Sequence, residues 1–384
     1  MSLLVLEPGV RVDPAAVAAF LEPIMPVDTL AATMQDAAFH AEGDVWTHTQ
    51  MALDALATGP AFAALDPLGR AIVATAVALH DIGKPSTTRD EGGKLTSRGH
   101  SARGEHIARI ALWQQGVPFG VREHVCTLIR HHQVPMYGIT RADCERLAIR
   151  LSLVVRHDWL AAVADADARG RRCLDAADHA RIIDHCALWA EHCRELGVLS
   201  RPREFASPHT RRVWLESEGR HPDVLAYDDT SCEVILMSGL PGSGKDTWLR
   251  AHRPELPVIS LDGLRAELEV DPEDSQAPII ASARETARDY LRAGTSFAWN
   301  ATNLTASLRQ QLLELMRSYR ARTHVVYVET TADLQHERNR GRAEAVPLKV
   351  IDRMLGRWTV PDPTEAHLVT CAVVDPGELA WPPG

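Results

Sequence analysis

The sequence predicts a multidomain protein in which an all-α helical domain is followed by an α/β domain built on a parallel sheet. Residues 28–200 carry apolar side chains at helical spacing almost throughout. From Glu233 onward, short apolar strands alternate with helical stretches, a pattern typical of parallel sheets. The chain has 384 residues, which is long enough to bury two hydrophobic cores.

The residue pattern changes after Gly197, and this change sets the predicted domain boundaries. The polar stretch SRPREFASPHT at 200–210 is typical of a connector. We expect the helical domain at residues 1–200, a linker at 201–230 and the α/β domain at 231–384. The last residues, AWPPG, predict a loose tail.

Composition limits the class of protein. Hydrophobic residues make up 45% and charged residues 24% of the chain, as in globular proteins. The net charge of -10 argues against broad non-specific nucleic-acid binding, although a local basic groove stays compatible with it. Seven cysteines without a CxxC pair favour a reducing compartment. No signal-peptide pattern or membrane-spanning run is visible, so we expect a cytoplasmic protein without a membrane partner.

Five segments of the helical domain show helical periodicity, with Gly and Pro between them. They are Val45–Ala57, Gly69–His80, Arg103–Gln115, Val121–His131 and Asp143–Ala168. The second segment ends at His80 and Asp81, two polar side chains that are costly to bury without partners. Either ordinary hydrogen bonds satisfy this pair, or the pair binds a metal ion.

Further His and Asp residues along the chain favour the metal. The candidate ligands, in order, are His48, His80, Asp81, His100, His132 and Asp167. Divalent first-row metals accept neutral imidazoles and carboxylates, and one Asp can bridge two ions. Two such ions can activate water and neutralise a phosphoryl leaving oxygen. Each residue alone has an ordinary structural explanation, but independent coincidences rarely produce all six in this order.

Two of the ligands have a neighbour of the same type. Periodicity does not separate Asp165 from Asp167, because both fall on helix faces that carry aliphatic residues. His131 directly precedes His132, and either ring could instead favour a helix C-terminus. The residue pattern therefore leaves both choices open.

Other polar residues of this half have weaker claims to a site. A second pair, His157 and Asp158, lacks a following Gly-Lys-Pro stop, and we expect it to be structural inside a long helix. His40, Glu42 and Asp44 either touch substrate or cap the helix that begins near Asp44.

A glycine-rich loop, GLPGSGKDT, follows the first strand of the α/β domain and precedes a helix. Its backbone N–H groups can surround the phosphates of a nucleotide, and the helix N-terminus adds the positive end of its dipole. Lys245 is expected to reach the β- and γ-phosphates. The alternative is a tight turn without a ligand. The predicted nucleotide-binding residues are Gly239, Gly242, Ser243, Gly244, Lys245, Asp246 and Thr247.

Asp246 departs from the usual pattern of such loops, which place Ser or Thr after the lysine to bind Mg²⁺. A carboxylate is also a good ligand for Mg²⁺. The metal could therefore bind Asp246, Thr247 or water.

The acceptor of the phosphate must be bound by other residues. Asp262 ends a strand, at the sheet edge where ligands of open α/β sheets bind, and Arg265 follows one turn later. A carboxylate there can accept the proton of an attacking hydroxyl, and an arginine can hold a phosphate. The alternative for Asp262 is a helix N-cap. Farther on, Arg338 and Arg342 either close over the phosphate or form a solvated basic helix face.

The motifs GLPGSGK, SLDGLR, NATN and RNRGR followed by VP resemble the polynucleotide 5′-kinase family. The resemblance implies transfer of the γ-phosphate of ATP or another NTP, with Mg²⁺, to a 5′-OH nucleic-acid end. It implies that Lys245 clamps phosphate and that Asp262 is the general base. The implied lid residues are Arg338 and Arg342, and the implied substrate-binding residues are Arg265, Asn303 and Arg309.

The helical half, with its HDIGKP motif and ligand order, resembles the HD phosphohydrolase superfamily. The resemblance implies hydrolysis of phosphate esters with one or two divalent transition metals such as Mn²⁺, Zn²⁺, Ni²⁺ or Co²⁺. It selects Asp167, just before ARGR, and His132, before QVP, as ligands.

The two halves together resemble the bacterial HD-Pnk group of end-healing enzymes, over about residues 30 to 370. The resemblance implies removal of 3′-phosphate or 2′,3′-cyclic phosphate and phosphorylation of 5′-OH ends of RNA or DNA, leaving ends that a ligase partner could seal. An alternative, which the acidic charge mildly favours, is a nucleoside or metabolite kinase fused to an HD nucleotidase. A third hypothesis makes the first half a metal-bound regulatory module.

Overall fold

The computed structural model describes residues 3–268, 275–341 and 345–383. These residues form two compact units, divided after Arg203, and the second unit ends at Asp375. Residues from Pro376 onward pack with the first unit. The division differs from the predicted boundaries, because the predicted linker 201–230 contains a helix and belongs mostly to the second unit.

Within the described residues, the first unit consists of twelve helices and one small antiparallel hairpin. The helices are α1 (Pro14–Leu21), α2 (Val27–Ala31), α3 (Val45–Thr58), α4 (Pro60–Ala63), α5 (Pro67–Leu79), α6 (Lys84–Thr87), α7 (His100–Gln114), α8 (Phe119–His131), α9 (Val134–Gly138), α10 (Cys144–Ser152), α11 (His157–Arg169) and α12 (Ala176–Glu195). The hairpin pairs β1 (Arg89–Asp90) with β2 (Leu95–Thr96).

Helix α5 is the centre of this unit. Asp66 caps its N-terminus by accepting a hydrogen bond from the Gly69 amide at 2.9 Å. Every residue from Ala71 to Leu79 is buried, so the helix presents apolar side chains on all sides, as a core helix must. Asp44 caps α3 in the same way, through the Thr47 amide at 2.8 Å, which confirms one of its two predicted roles.

The predicted helix 143–168 is wrong as a single element. It is two helices, α10 and α11, separated at Leu153–Arg156. His157 and Asp158 therefore begin a helix, where a carboxylate favours the positive dipole end. Arg156 pairs with Asp158 at 2.6 Å, so the acid is satisfied locally.

The C-terminal segment is not a loose tail. The Gly120 amide donates to the carbonyl of Pro376 at 3.0 Å. The Trp381 ring is buried and packs edge-on against Phe119, with ring centroids 5.9 Å apart. A side chain at Gly120 would collide with the Leu379 carbonyl, which shows how closely the two backbones approach. The Pro-rich ending suggested a tail because the sequence does not reveal this long-range contact.

The second unit is an α/β fold with a five-stranded parallel sheet, as the sequence predicts. The strand order is β4-β5-β3-β6-β7, with β3 in the centre. The strands are β3 (Cys232–Ser238), β4 (Val258–Ser260), β5 (Phe297–Asn300), β6 (Ala321–Glu329) and β7 (Leu368–Val373). The helices are α13 (Pro208–Glu216), α14 (Lys245–His252), α15 (Leu261–Glu267), α16 (Ala277–Arg292), α17 (Ala306–Ser318), α18 (Ala332–Arg340) and α19 (Leu348–Leu355).

Residues of β3 face apolar helices on both sides of the sheet. Val234 and Leu236 pack with α16 and α17 residues, whereas Ile235 and Met237 contact Leu249 of α14. This burial holds the glycine-rich loop at the carboxyl end of the central strand. No helix among the described residues combines the length and the apolar character that crossing a membrane requires.

Candidate metal centre and phosphate-binding pocket

The six predicted metal ligands lie together in the first unit. They form two groups, and within each group the potential ligand atoms lie within 4.8 Å of one another. The groups are His48, His80 and Asp167, and Asp81, His100 and His132. All six side chains are buried.

Five helices bring these ligands together, and five of the six lie at a helix end. His80 and Asp81 follow α5, and His100 begins α7. His132 follows α8, and Asp167 lies in the last turn of α11. Only His48 lies inside a helix, on the buried face of α3. Helix ends allow side chains from separate elements to converge on one point.

The two carboxylates connect the groups. Asp81 Oδ2 is 3.2 Å from His80 Nε2, and its Oδ1 is 3.4 Å from His100 Nε2. Asp167 Oδ1 is 3.0 Å from His48 Nε2, and its Oδ2 is 3.9 Å from His132 Nε2. Each acid thus turns one oxygen toward each group, which is the arrangement that bridging carboxylates adopt between two cations.

The imidazole orientations fit a metal centre. Nδ1 of His80, His100 and His132 each contacts the backbone carbonyl three residues earlier, at 2.7–2.8 Å. His48 Nδ1 instead lies 3.0 Å from the Glu42 carboxylate. Such contacts fix the proton on Nδ1 and leave Nε2 as a lone-pair donor.

The Nε2 atoms also face one another in pairs. His48 and His80 Nε2 are 3.3 Å apart, and His100 and His132 Nε2 are 3.4 Å apart. Two lone pairs at this distance repel unless a cation lies near both. The donor set therefore fits divalent metal ions, with four imidazoles and two carboxylates as ligands.

The pKa values of the ligand side chains also fit a site for cations. Burial, with smaller effects of His80 and His100, lowers the pKa of His132 to about 3, so the ring is neutral. Burial opposes ionisation of Asp81, but His80 and Lys84 outweigh it and hold the pKa of this carboxyl well below its usual range. Burial likewise lowers the pKa of His80, but Asp81 and Asp167 reverse the effect and raise it. The centre therefore attracts positive charge.

Three further charged residues surround the ligands. The sequence interpretation named Glu42 as a possible substrate contact or helix cap, and it did not assign Lys84 and Arg171 to the site. Lys84 Nζ is 2.6 Å from Asp81 Oδ2, and Arg171 is hydrogen-bonded to Asp167. The spacing could have revealed both, because they follow their acids by three and four residues, a helical turn. Glu42 lies beside His48, but nothing in its local sequence predicts that contact.

A pocket of about 310 Å³ opens over this centre. Of the six ligands, His100 alone lines it, while Lys84, Arg171 and His40 contribute charge or polarity. A ligand in this pocket would therefore reach the metal centre from the side of the second group, between cationic side chains that suit a phosphate.

The neighbouring alternatives lie outside the two groups. Asp165 pairs with Arg169 at 2.9 Å on the partly exposed side of α11. His157 Nε2 donates to the Ala148 carbonyl at 2.9 Å, and the Trp189 indole donates to its Nδ1. This ring is fully satisfied without a metal, as the sequence predicted for the second His-Asp pair.

The second unit holds a larger pocket of about 1270 Å³ at the glycine-rich loop. It is lined by the predicted residues Gly242, Ser243, Gly244, Lys245, Asp246 and Thr247. Gly239 lies outside the lining and has a backbone role. Its φ is 149°, and a Cβ there would be 2.3 Å from the Val328 carbonyl oxygen, so only glycine fits.

The loop presents groups that suit phosphate. Lys245 Nζ donates to the Gly239 and Leu240 carbonyls, both at 3.0 Å, at the N-terminus of α14. Ser243 Oγ is buried and has no hydrogen-bond partner among the described residues. A ligand oxygen that accepts from this hydroxyl would complete the loop.

Asp246 is held by a neighbouring strand. Asn300, the last residue of β5, donates from Nδ2 to Asp246 Oδ1 at 2.5 Å. Both residues line the pocket. Asn300 Oδ1 is buried without a hydrogen-bond partner in the described part of the chain. The carboxylate is thus oriented at the position where Mg²⁺ binds in related loops, with a second oxygen ligand beside it.

The predicted acceptor residues lie at the same pocket. Asp262 and Arg265 form an ion pair at 2.7 Å, and both line the pocket. Because α15 begins at Leu261, Asp262 lies in the first turn of the helix and is not its N-cap. Arg338 also lines the pocket and donates to the Ser243 carbonyl at 3.4 Å. Arg342 lies outside the described residues.

Two of the substrate-binding predictions are corrected. Arg309 is fully buried and forms a bidentate pair with Glu365, with both distances 2.7 Å. It also donates to the Asn303 carbonyl. Asn303 has a left-handed φ of 43° and donates to the Met237 carbonyl at 2.8 Å. Neither lines the pocket, because both side chains hold the backbone behind the loop.

Comparisons with known proteins give a family match in each unit. Residues 45–180 match the family described as HD domain. Residues 234–361 match the family described as AAA domain, which has a P-loop. The chain joins an HD domain to a P-loop kinase-like domain. The HD match covers all five helices that bring the metal ligands together and contains all six ligands.

Three solved structures are each similar to 37–38% of this chain. A candidate kinase from Chloroflexus aurantiacus is 17% identical and covers 38% of this chain and 87% of its own, with a TM-score of 0.33. A sugar kinase from Janibacter sp. is 17% identical, with coverages of 37% and 85% and a TM-score of 0.30. A gluconokinase from Sinorhizobium meliloti is 17% identical, with coverages of 38% and 84% and a TM-score of 0.29.

Proposed function

We propose that the chain heals nucleic-acid ends: its HD domain removes 3′-phosphate or 2′,3′-cyclic phosphate, and its kinase-like domain phosphorylates 5′-OH ends. The observation that carries the proposal is that a buried two-group ligand cluster and a P-loop pocket with a carboxylate–arginine pair occur in one chain. The first suits phosphate ester hydrolysis and the second phosphoryl transfer. The motif resemblance supplies the nucleic-acid substrate.

In the HD domain, the six ligands would hold one or two divalent ions, whose chemistry is to make water nucleophilic at neutral pH. Lys84 and Arg171 are in place to contact the phosphate oxygens from the pocket side. Glu42 and the backbone carbonyls keep the imidazoles in the ligand tautomer. The products are a 3′-OH end and, from a terminal monoester, inorganic phosphate.

In the kinase-like domain, Lys245 would leave the loop carbonyls for the β- and γ-phosphates of the NTP. Asp262 would accept the proton of the 5′-OH, and Arg265 would hold the adjacent phosphate of the strand. The oxygen–phosphorus bond to the acceptor forms as the bond to the leaving β-phosphate oxygen breaks. NDP and a 5′-phosphate end result.

The test is an oligonucleotide that bears both a 5′-OH and a 3′-phosphate, incubated with ATP and either Mg²⁺ or Mn²⁺ and analysed at both ends. We expect a 5′-phosphate and a 3′-OH. Free nucleosides and sugars with labelled ATP provide the comparison for a small-molecule kinase. Phosphorylation of these alone, with no change at the oligonucleotide ends, would contradict the proposal.

A further inference from the structure

The pocket over the HD metal centre has an aromatic rim. Besides His100 and its cationic residues, it is lined by Phe39 and Tyr137. Both rings are large and partly exposed to solvent, Phe39 to 38% and Tyr137 to 49%. Exposed rings that line a pocket offer apolar faces on which a planar ligand can stack. They do not serve the metal ligands described above.

Phe39 is held firmly in the segment that leads to the ligand helix α3. The Leu174 amide donates to the Ala38 carbonyl at 3.0 Å, and the Ala41 amide donates to the Arg172 carbonyl at 2.8 Å. Backbone hydrogen bonds thus fix the segment on both sides of Phe39 in the sequence, next to Arg171. Its position relative to the metal centre is set by backbone contacts.

Tyr137 is held by a different segment of the chain. It lies in α9, five residues after the ligand His132. His185 Nδ1 contacts the Met136 carbonyl at 2.8 Å, and Gly138 adjoins the Trp189 ring so closely that a Cβ would lie 2.8 Å from it. The short helix therefore keeps the tyrosine ring at the pocket rim.

The remaining lining includes one acid, Asp36, and a further cation, Arg98. The Arg98 side chain is 83% exposed, and its contact with Glu91 is 3.4 Å long and exposed, so this contact competes little with a ligand. The volume of about 310 Å³ is that of a small-ligand site. A nucleotide combines a phosphate with a planar aromatic base at a short distance, which matches a cationic floor and an aromatic rim.

We propose that Phe39 and Tyr137 form a stacking subsite for the nucleobase next to the phosphate that the HD centre hydrolyses. The ligand is a nucleotide with a 3′-terminal phosphate, supplied either by a strand end or by a free nucleotide. The inference rests on the proposed hydrolase activity and adds that the terminal base is bound, without hydrogen-bond readout of its sequence.

The experiment compares three substrates in the full chain with its metals: an oligonucleotide with a 3′-phosphate, the same strand with an abasic 3′-terminal unit, and a nucleoside 3′-monophosphate. Tyr137→Ala should raise KM for the substrates with a base roughly fivefold to 150-fold, the range of base–aromatic stacking. kcat and the abasic strand should change little. Tyr137→Phe should retain the wild-type KM.

Tyr227→Ala is the matched control, because Tyr227 is an exposed tyrosine of the other unit, at 88% exposure. A Tyr137→Ala variant that weakens the abasic and base-bearing strands equally would overturn the subsite. Hydrolysis of the free nucleotide but of neither strand would instead overturn the end-healing function and leave the subsite standing.

A binding measurement keeps the inference testable without turnover. In chelator-treated protein, the Kd of the 3′-phosphate strand should be lower than that of the abasic strand. Tyr137→Ala should remove most of this difference. Equal Kd values for the two strands in the wild type would sink the subsite, whatever the activity of the metal-loaded enzyme.

Discussion

The two sites of this chain differ in how they are built. The HD centre consists of residues that are at most 7% exposed, each held by a further contact. In the P-loop pocket the predicted general base is open to solvent: the Asp262 side chain is 77% exposed. Lys245 donates hydrogen bonds to loop carbonyls, and Asp262 forms an ion pair with Arg265.

The difference follows from the energetics of charge. Carboxylates buried as deeply as Asp81 and Asp167 must have partners in every state, so their site is assembled by the fold itself. An exposed group such as Asp262 exchanges partners at little cost, because surface ion pairs contribute about 0–1 kcal/mol. The HD centre is therefore fixed before its ligand arrives, whereas Asp262 can change partners when a ligand arrives.

The largest expected effect is the separation of the two activities. Asp81→Ala should lower phosphate release by roughly a thousandfold or more, since metal-assisted hydrolysis depends on several kcal/mol from the ions. 5′ phosphorylation should persist. Lys245→Ala should do the reverse. Rate assays of both reactions on each variant provide the measurement.

Asp158→Ala is the matched control, since it removes the acid of the second His-Asp pair, which has only a local partner. Asp81→Asn tests whether loss comes from misfolding, because it keeps the shape of the side chain beside Lys84. Simultaneous loss of both activities with intact near-UV circular dichroism would argue for one shared site.

The next effect concerns the exposed acid of the kinase-like domain. Asp262→Asn should lower kcat for 5′ phosphorylation by about 10²–10⁴, the usual contribution of a general base. The melting temperature should hardly change, because the pair with Arg265 is exposed on the acid's side. Turnover at saturating NTP and thermal melting measure the two quantities. Full activity in this variant would refute the general-base role.

A smaller effect is expected at Glu42, whose carboxylate contacts the metal ligand His48. Glu42→Gln removes the charge beside His48 Nδ1, and comparable contacts contribute about 10–100-fold to metal affinity. Phosphate release should therefore need more metal but recover at saturation, as a metal titration would show. Glu91→Gln, an exposed acid, is the control. An unchanged metal requirement would show that backbone packing alone orients His48.

The smallest effect is the acid sensitivity of the two units. Burial lowers the pKa of His124 and of His157 to about 4, against 6.5 in the unfolded chain. Between these values the unfolded chain binds more protons, so the free energy of unfolding falls as the pH falls below 6.5. Each such histidine removes up to about 1.4 kcal/mol per pH unit.

The first unit also buries His40 and His132 with lowered pKa values, so its calorimetric transition should shift further on acidification than that of the second unit. Adding Mg-NTP should raise the melting temperature of the second unit, which identifies the transition that belongs to this unit. His157→Gln should flatten the pH dependence, because an amide can keep both hydrogen bonds of the ring. Equal shifts of both units would contradict this.

The sequence predicted the fold class and the order of the metal ligands, because these depend on local periodicity and on residue types with few alternatives. The choice of Asp167 over Asp165 came from the motif resemblance alone. In the sequence both residues fall on helix faces that carry aliphatic residues. In the structure Asp167 turns inward to contact His48 of α3, which is distant in sequence, whereas Asp165 pairs with Arg169.

The errors have a common physical origin. Arg309 was predicted to bind substrate, and the chain's sequence does not reveal that Glu365 neutralises its charge in the interior. The strand β7 was not predicted, although it completes the sheet beside β6. Phe39 was not assigned to a site either. Arg309 and β7 depend on pairing between residues far apart along the chain, which propensity and spacing do not encode.

The packing of residues 376–383 against α8 gives the polypeptide an unusual order of assembly. Because the kinase-like unit ends at Asp375, a ribosome completes that unit before it produces the stretch that lies on Phe119 and His124. A nascent chain can thus finish its P-loop half while the hydrolytic half still lacks a piece of its surface. Premature termination just beyond Asp375 would spare the former and penalise the latter.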